Sequence, residues 1–199
     1  MTESPPPRID MRKAHRDLFT GRAEPAIVEV PSVPYLMIDG KGAPESAEYA
    51  AAVSALYAVA YAIRFALKPI VQYSVPPLQG QWWSPDPAVF AAGDRAAWCW
   101  TMMIMQPPQA TAEIAAEAVA KAGKRKPVGG VRFERFTEGT CAQILHTGPY
   151  RAEPATIARL MAFIAGTGRQ ITGRHHEIYL TPPRTDAPEK MRTLIRYPL

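Results

Sequence analysis

Cysteine is scarce in this chain of 199 residues: there are two, Cys99 and Cys141. They form no C-x-x-C pair, and two thiols do not make a disulfide framework. Each sits in an apolar, strand-like run, so both are expected to be buried free thiols in a reducing compartment. No stretch approaches about 18 uninterrupted apolar residues, and no membrane-crossing helix is predicted. The first residues, Met-Thr-Glu-Ser-Pro-Pro-Pro, lack a basic start followed by an apolar stretch and do not read as a secretory signal. Zinc-finger spacing and RNA-binding aromatic signatures are missing too. The expectation is a cytoplasmic protein without metal or cofactor.

Positive charge is in excess, at +5, but it is spread along the chain. Its densest groups, Arg8 to Arg16 and Lys121 to Lys126, carry no interleaved aromatics. That pattern reads as a solvated basic surface. Steering of an anionic partner by this field stays open, while a specific nucleic-acid or membrane partner is not expected.

Hydrophobic residues make up 47% and charged residues 21%, which permits a packed core. Residues 26–39 read as a strand, with Pro31 and Pro34 favouring an edge or a bulge. Val53, Leu56, Tyr57, Ala60, Ile63 and Leu67 recur at three- and four-residue steps, predicting a helix over 46–67 that stops at Lys68-Pro69. A short strand follows at 70–75, then a loop over 76–87, then a strand over 95–106. Residues 111–124 read as a helix with Thr111 near its N-cap. Runs 131–136 and 140–146 look like a hairpin turning at Glu138-Gly139. Another amphipathic helix, 153–165, precedes strands at 175–180 and 192–197.

Strand, helix, strand, strand thus occurs twice. Residues 1–24 form an arm with one short helix. Residues 25–199 form a single domain, with module one at about 25–108 and module two at about 130–199. The predicted class is α+β, with two strand-helix-strand-strand modules in a pseudo-twofold arrangement. Their antiparallel sheets would merge, with helices on one face and a ligand groove at the junction, where ligands favour binding. A monomer or weak homodimer is expected.

The tryptophans cluster: Trp82, Trp83, Trp98 and Trp100. Trp98 and Trp100 are two apart on a predicted strand and share a side. Trp82-Trp83 sits in the predicted loop, where exposed rings mark a binding surface unless they are plain anchors. In Arg174-His-His-Glu-Ile-Tyr-Leu-Thr181, alternation puts Ile178 and Leu180 toward the helices. Glu177, Tyr179 and His175 then lie on the other side. A desolvated strand carboxylate can hold a cation or act as general base or acid; on a solvated face it would be inert. His146-Thr-Gly-Pro-Tyr150 closes a strand before a helix and would present Tyr150, with His146, at the junction.

Four runs together resemble the GyrI-like small-molecule-binding family, in its stand-alone branch. They are Met37–Gly42, Pro76–Trp83, Leu145–Thr156, and His175–Leu180 with Ala187–Met191. The resemblance implies the two-module pseudo-twofold fold. It implies a pocket in which Glu177 and Tyr150 are the catalytic pair. Trp82 and Trp83 match the family's loop pair; with Trp98, Trp100, His146, His175 and Tyr179, which the strand and turn patterns above single out, they would bind a hydrophobic aromatic or cationic small molecule. Some stand-alone members are cyclopropanoid cyclopropyl hydrolases, so the resemblance implies hydrolysis or detoxification of an electrophilic, cyclopropane-bearing aromatic compound. Non-catalytic sequestration of lipophilic planar cations, or gyrase modulation, is the alternative. Gln79 and Gln81 stand where the resemblance leads one to expect Glu and Leu, which bears on catalysis if a loop carboxylate is needed. Residues 1–24 are too few for the helix-turn-helix of transcription-factor relatives.

Overall fold

A computed structural model describes residues 5–86, 94–181 and 186–199. The chain runs β1 (Arg8–Ile9), α1 (Met11–Ala14), α2 (Arg16–Phe19), β2 (Ala26–Val30), β3 (Val33–Lys41), α3 (Ala47–Leu67) and β4 (Gln72–Tyr73). Then come β5 (Leu78–Trp83), β6 (Cys99–Met105), α4 (Ala112–Gly123), β7 (Arg132–Phe136), β8 (Gly139–Thr147), α5 (Glu153–Gly166), β9 (His175–Tyr179) and β10 (Arg192–Pro198).

Eight strands form one antiparallel sheet in the order β2-β8-β10-β9-β5-β6-β3-β7. β3, α3, β5 and β6 make one strand-helix-strand-strand module, and β8, α5, β9 and β10 make the other. They join where β5 pairs with β9, Gly80 opposite Glu177 and Trp82 opposite His175. The two-module fold expected from the sequence is therefore present.

The structure corrects several local readings. The strand expected over 26–39 is two strands. β2 pairs with β8, and β3 with β6 and β7, so the break at Pro31-Ser32 sends the chain to the other end of the sheet. The expected hairpin does not form: β7 ends the strand order and β8 lies second from its other end, the two joined through Thr137-Glu138. Two linking residues reach at most about 10 Å. The sheet must therefore curl until its ends approach. The loop expected over 76–87 holds β5, and the strand expected over 70–75 shrinks to β4, paired with β1.

α3 is capped by Ser46, whose Oγ accepts from Tyr49 N at 3.1 Å. Its length and mean hydropathy of 1.7 would suffice to cross a membrane. Here Leu56, Val59, Ala60, Ile63 and Leu67 are instead fully buried in the core. Burying each larger side chain is worth about 1.5–3 kcal/mol. A smaller apolar cluster, Ala142, Ile144, Leu160, Ile164, Ile195 and Tyr197, lies beneath α5. On the helix-facing side of the sheet, Glu177 of β9 stands between Ile195 of that cluster and Gly80 of β5. A carboxylate thus separates two cores, and a cavity opens there. Of the cysteines, Cys141 is buried and Cys99 only half-buried; both are free.

Candidate functional site

Strand alternation sets the floor of the cavity. Glu177, Tyr179 and His175 share one side, as the sequence implied, but it is the side carrying α3 and α5. His176 and Ile178 face the back. The orientation inferred from Ile178 fails because the back of the curled sheet is buried as well, and Ile178 is fully buried there.

Opposite Glu177, position 80 has no room for a side chain. A Cβ there would collide with Met102 Cε, would stand 2.9 Å from Trp82 Nε1 and 3.1 Å from Tyr179 Oη. Glycine therefore lets Trp82 Nε1 donate to Tyr179 Oη at 3.0 Å. The Tyr179 phenol in turn contacts Glu177. On the other side, His175 Nε2 lies 2.8 Å from Glu177 Oε1, and His175 Nδ1 lies 2.7 Å from Tyr197 Oη. A neutral imidazole satisfies both contacts by donating from Nε2 and accepting at Nδ1.

α3 and α5 bring their first turns to this floor. The cavity, about 520 Å³, has Tyr49, Val53, Trp82 and Trp98 as its apolar wall, and Tyr150 and Glu153 on the α5 side. Tyr49 stacks on Trp82 at 5.8 Å between centroids, and Trp98 meets Trp82 edge-on at 5.9 Å. Tyr150 meets Tyr179 edge-on at 6.0 Å. Arg151 and the Glu45–Arg95 pair, 2.7 Å apart, line it as well.

Two carboxyl groups meet here. Burial pushes Glu153 up, and the charge of Glu177 and the hydrogen bond between the two push it further, to about 9. Glu153 is the first residue of α5, where the helix dipole would favour its anion; desolvation and the neighbouring carboxylate win. Burial also raises Glu177, but His175, Tyr179 and Glu153 together outweigh it and hold Glu177 below the usual carboxylate range. At neutral pH the pair therefore keeps one proton, on Glu153, and one charge, on Glu177. Burial, with the Glu177 charge added, raises the Tyr150 and Tyr179 phenols well above their ordinary value. Both remain hydrogen-bond donors.

The structure gathers Glu177, Tyr150, Trp82, Trp98 and Tyr179 around the cavity. It does not bring the other sequence candidates to its lining. Trp83, adjacent to Trp82 in a strand rather than a loop, points to the opposite face, where the Arg174 guanidinium lies 3.4 Å over its ring. Trp100 is fully buried with Tyr49 edge-on at 5.5 Å. His146 braces the Gly148 turn, with Nδ1 2.9 Å from Thr156 Oγ1 and Nε2 3.3 Å from Pro149 O. His175 supports Glu177 from the side. Gln79 also faces the back, 3.5 Å from Tyr35 Oη, so position 79 supplies no group to the cavity.

Sequence reasoning missed Glu153 and Tyr49. The signal for both was the same: two module helices whose N-terminal turns point at the joint. Glu153 was also inside the quoted run Leu145–Thr156.

The family model of the GyrI-like small molecule binding domain matches residues 23–199. The chain belongs to this family. Solved structures agree. An uncharacterized conserved protein from Listeria innocua is 37% identical, with a TM-score of 0.89. Two hydrolases from the same organism are 38% and 35% identical, with TM-scores of 0.86 and 0.84. In each case the match covers 96% of this chain and 98% of the other. No protein of curated function matches. This GyrI-like chain therefore has a fold shared with relatives over nearly its whole length.

Proposed function

We propose that this GyrI-like protein hydrolyses an electrophilic, cyclopropane-bearing aromatic compound and so detoxifies it. The observation that carries the reading is Glu177, held by His175, at the floor of a cavity walled by Trp82, Trp98 and Tyr49. Flat apolar ligands stack on such rings, with aromatic pairs worth about 0.5–1.5 kcal/mol beyond their buried area. Glu177 takes the proton of a water directed at the strained ring carbon, and His175 and Tyr179 hold the carboxylate in place. Tyr150, on the facing wall, donates to the ligand. General-base assistance of this kind is worth about 10²–10⁴-fold. That two relatives 35–38% identical are hydrolases supports the reading.

The same single negative charge among aromatic rings favours a second reading, non-catalytic capture of lipophilic planar cations. Incubating purified protein with a cyclopropane-bearing alkylator and weighing the product separates the two. A water adduct formed catalytically supports hydrolysis. Recovery of unchanged compound, with saturable quenching of tryptophan fluorescence by a planar cation, supports capture.

A further inference from the structure

We propose that Glu153 is the proton donor of this site, and that Glu153 and Glu177 form a relay that returns its own proton after each turnover. The inference rests on the hydrolytic reading above. Glu153 lines the cavity, and its residue surface is 6% exposed. One oxygen contacts Glu177, and the carboxyl also meets Thr193 of β10. A buried carboxyl that lines the cavity in contact with the base is placed to serve a ligand. The groups facing the pair are His175 and Tyr179 from β9, Tyr197 and Thr193 from β10, Tyr49 from α3, and Tyr150 from the turn before α5. Arg151 and Arg95 line the same cavity. Burial and the neighbouring charge keep Glu153 neutral to about 9.

The chemistry requires such a donor. Water opens a cyclopropane only if the electrons of the breaking carbon–carbon bond have somewhere to go, so the substrate must carry a conjugated carbonyl. A new bond forms between the water oxygen and the ring carbon. The ring bond breaks, and its pair travels to the carbonyl oxygen, which becomes a hydroxyl. Glu177 receives the proton that water loses, and Glu153 gives its proton to the developing oxyanion. The pair is then inverted: Glu177 is neutral and Glu153 ionised. One transfer across their mutual hydrogen bond restores the start, with water the only net reactant.

Infrared spectroscopy reads the stored proton without any substrate. Wild-type protein at pH 7.5 should show a buried carboxylic-acid C=O band that fades only as pH passes about 9. Glu153→Gln should lack it. No such band, or a band retained in Glu153→Gln, would overturn the relay. Turnover gives the second readout. Glu153→Gln should slow substrates with a strongly basic carbonyl oxygen by about 10²–10⁴-fold, and slow far less those whose released oxyanion is stabilised by electron-withdrawing groups. Equal slowing for both, or none, refutes the donor role. A wild-type protein that shows the band and no turnover keeps the proton pair and sinks the hydrolytic reading with the donor role built on it.

Discussion

Glu138→Gln should cost this protein much of its stability although the residue touches no ligand. Glu138 lies behind the sheet in a closed polar cluster. Its Oε2 accepts from Arg196 Nη1 at 3.0 Å, and its Oε1 lies 2.8 Å from His176 Nδ1; both the Glu138 and Arg196 side chains are 1% exposed. Arg196 also donates to Gln143 Oε1 at 2.9 and 2.6 Å and to Leu18 O at 3.0 Å. The cluster therefore ties β10, β9 and β8 to the N-terminal arm. Removing the carboxylate charge leaves a buried guanidinium uncompensated, at about 3–5 kcal/mol. An independent route gives a similar figure. Burial opposes the Glu138 anion, but His176 and Arg196 overcome it and bring the group from 4.5 to about 2. At about 1.36 kcal/mol per unit, that is about 3 kcal/mol. The sign follows from linkage. The folded pKa is depressed, so the contribution is complete above about 4.5 and is lost as pH falls toward 2. Urea titration at pH 7 should show a lower midpoint at unchanged m, and the acid limb of stability should flatten in the variant. Glu138→Gln combined with Arg196→Met should cost less than the sum of the two changes, because the partners are coupled. A Glu138→Gln loss below about 1 kcal/mol would refute the reasoning.

Other outcomes follow from the same geometry. Gly80→Ala should destabilise by about 1–3 kcal/mol through overpacking, and should weaken ligand binding by displacing Trp82 or Tyr179; urea midpoint and fluorescence titration read the two effects. Trp82→Ala should weaken binding of a planar aromatic ligand by about 1–3 kcal/mol, by analogy with base–aromatic stacking. Trp83→Ala, on the far face, should leave that affinity unchanged, and a Trp83 effect as large as that of Trp82 would argue against the assignment of walls. Glu153 binds a proton in the folded protein up to about 9 and in the unfolded chain only to about 4.5. Stability should therefore fall as pH rises between those values, and Glu153→Gln should flatten that limb.

The two-module fold was legible because helical periodicity over 46–67 and 153–165 and strand alternation at 175–180 are local patterns. The hairpin at Glu138-Gly139 was misread for a reason no local pattern reveals. Glu138 looks like a turn residue but is drawn into the buried cluster with Arg196, a partner far along the chain. Trp82-Trp83 was read as a loop because prolines flank it; the tertiary pairing of Gly80 with Glu177 makes it a strand. That change of one element decides which tryptophan faces the cavity. Glu177 was visible as a carboxylate in an apolar strand. Glu153 was not, because its neutrality arises from burial and from the Glu177 carboxyl, which only the packing of α5 on β9 brings beside it.

The most direct test of the account is turnover by Glu177→Gln, set beside wild type with a cyclopropane-bearing alkylator and read as the water adduct by mass spectrometry. The substitution keeps size and shape and removes charge and basicity. The account expects catalytic adduct formation by the wild type, its loss in Glu177→Gln, and retained binding of a neutral aromatic analogue by both proteins. Full turnover by Glu177→Gln would contradict it and place the chemistry elsewhere in the groove.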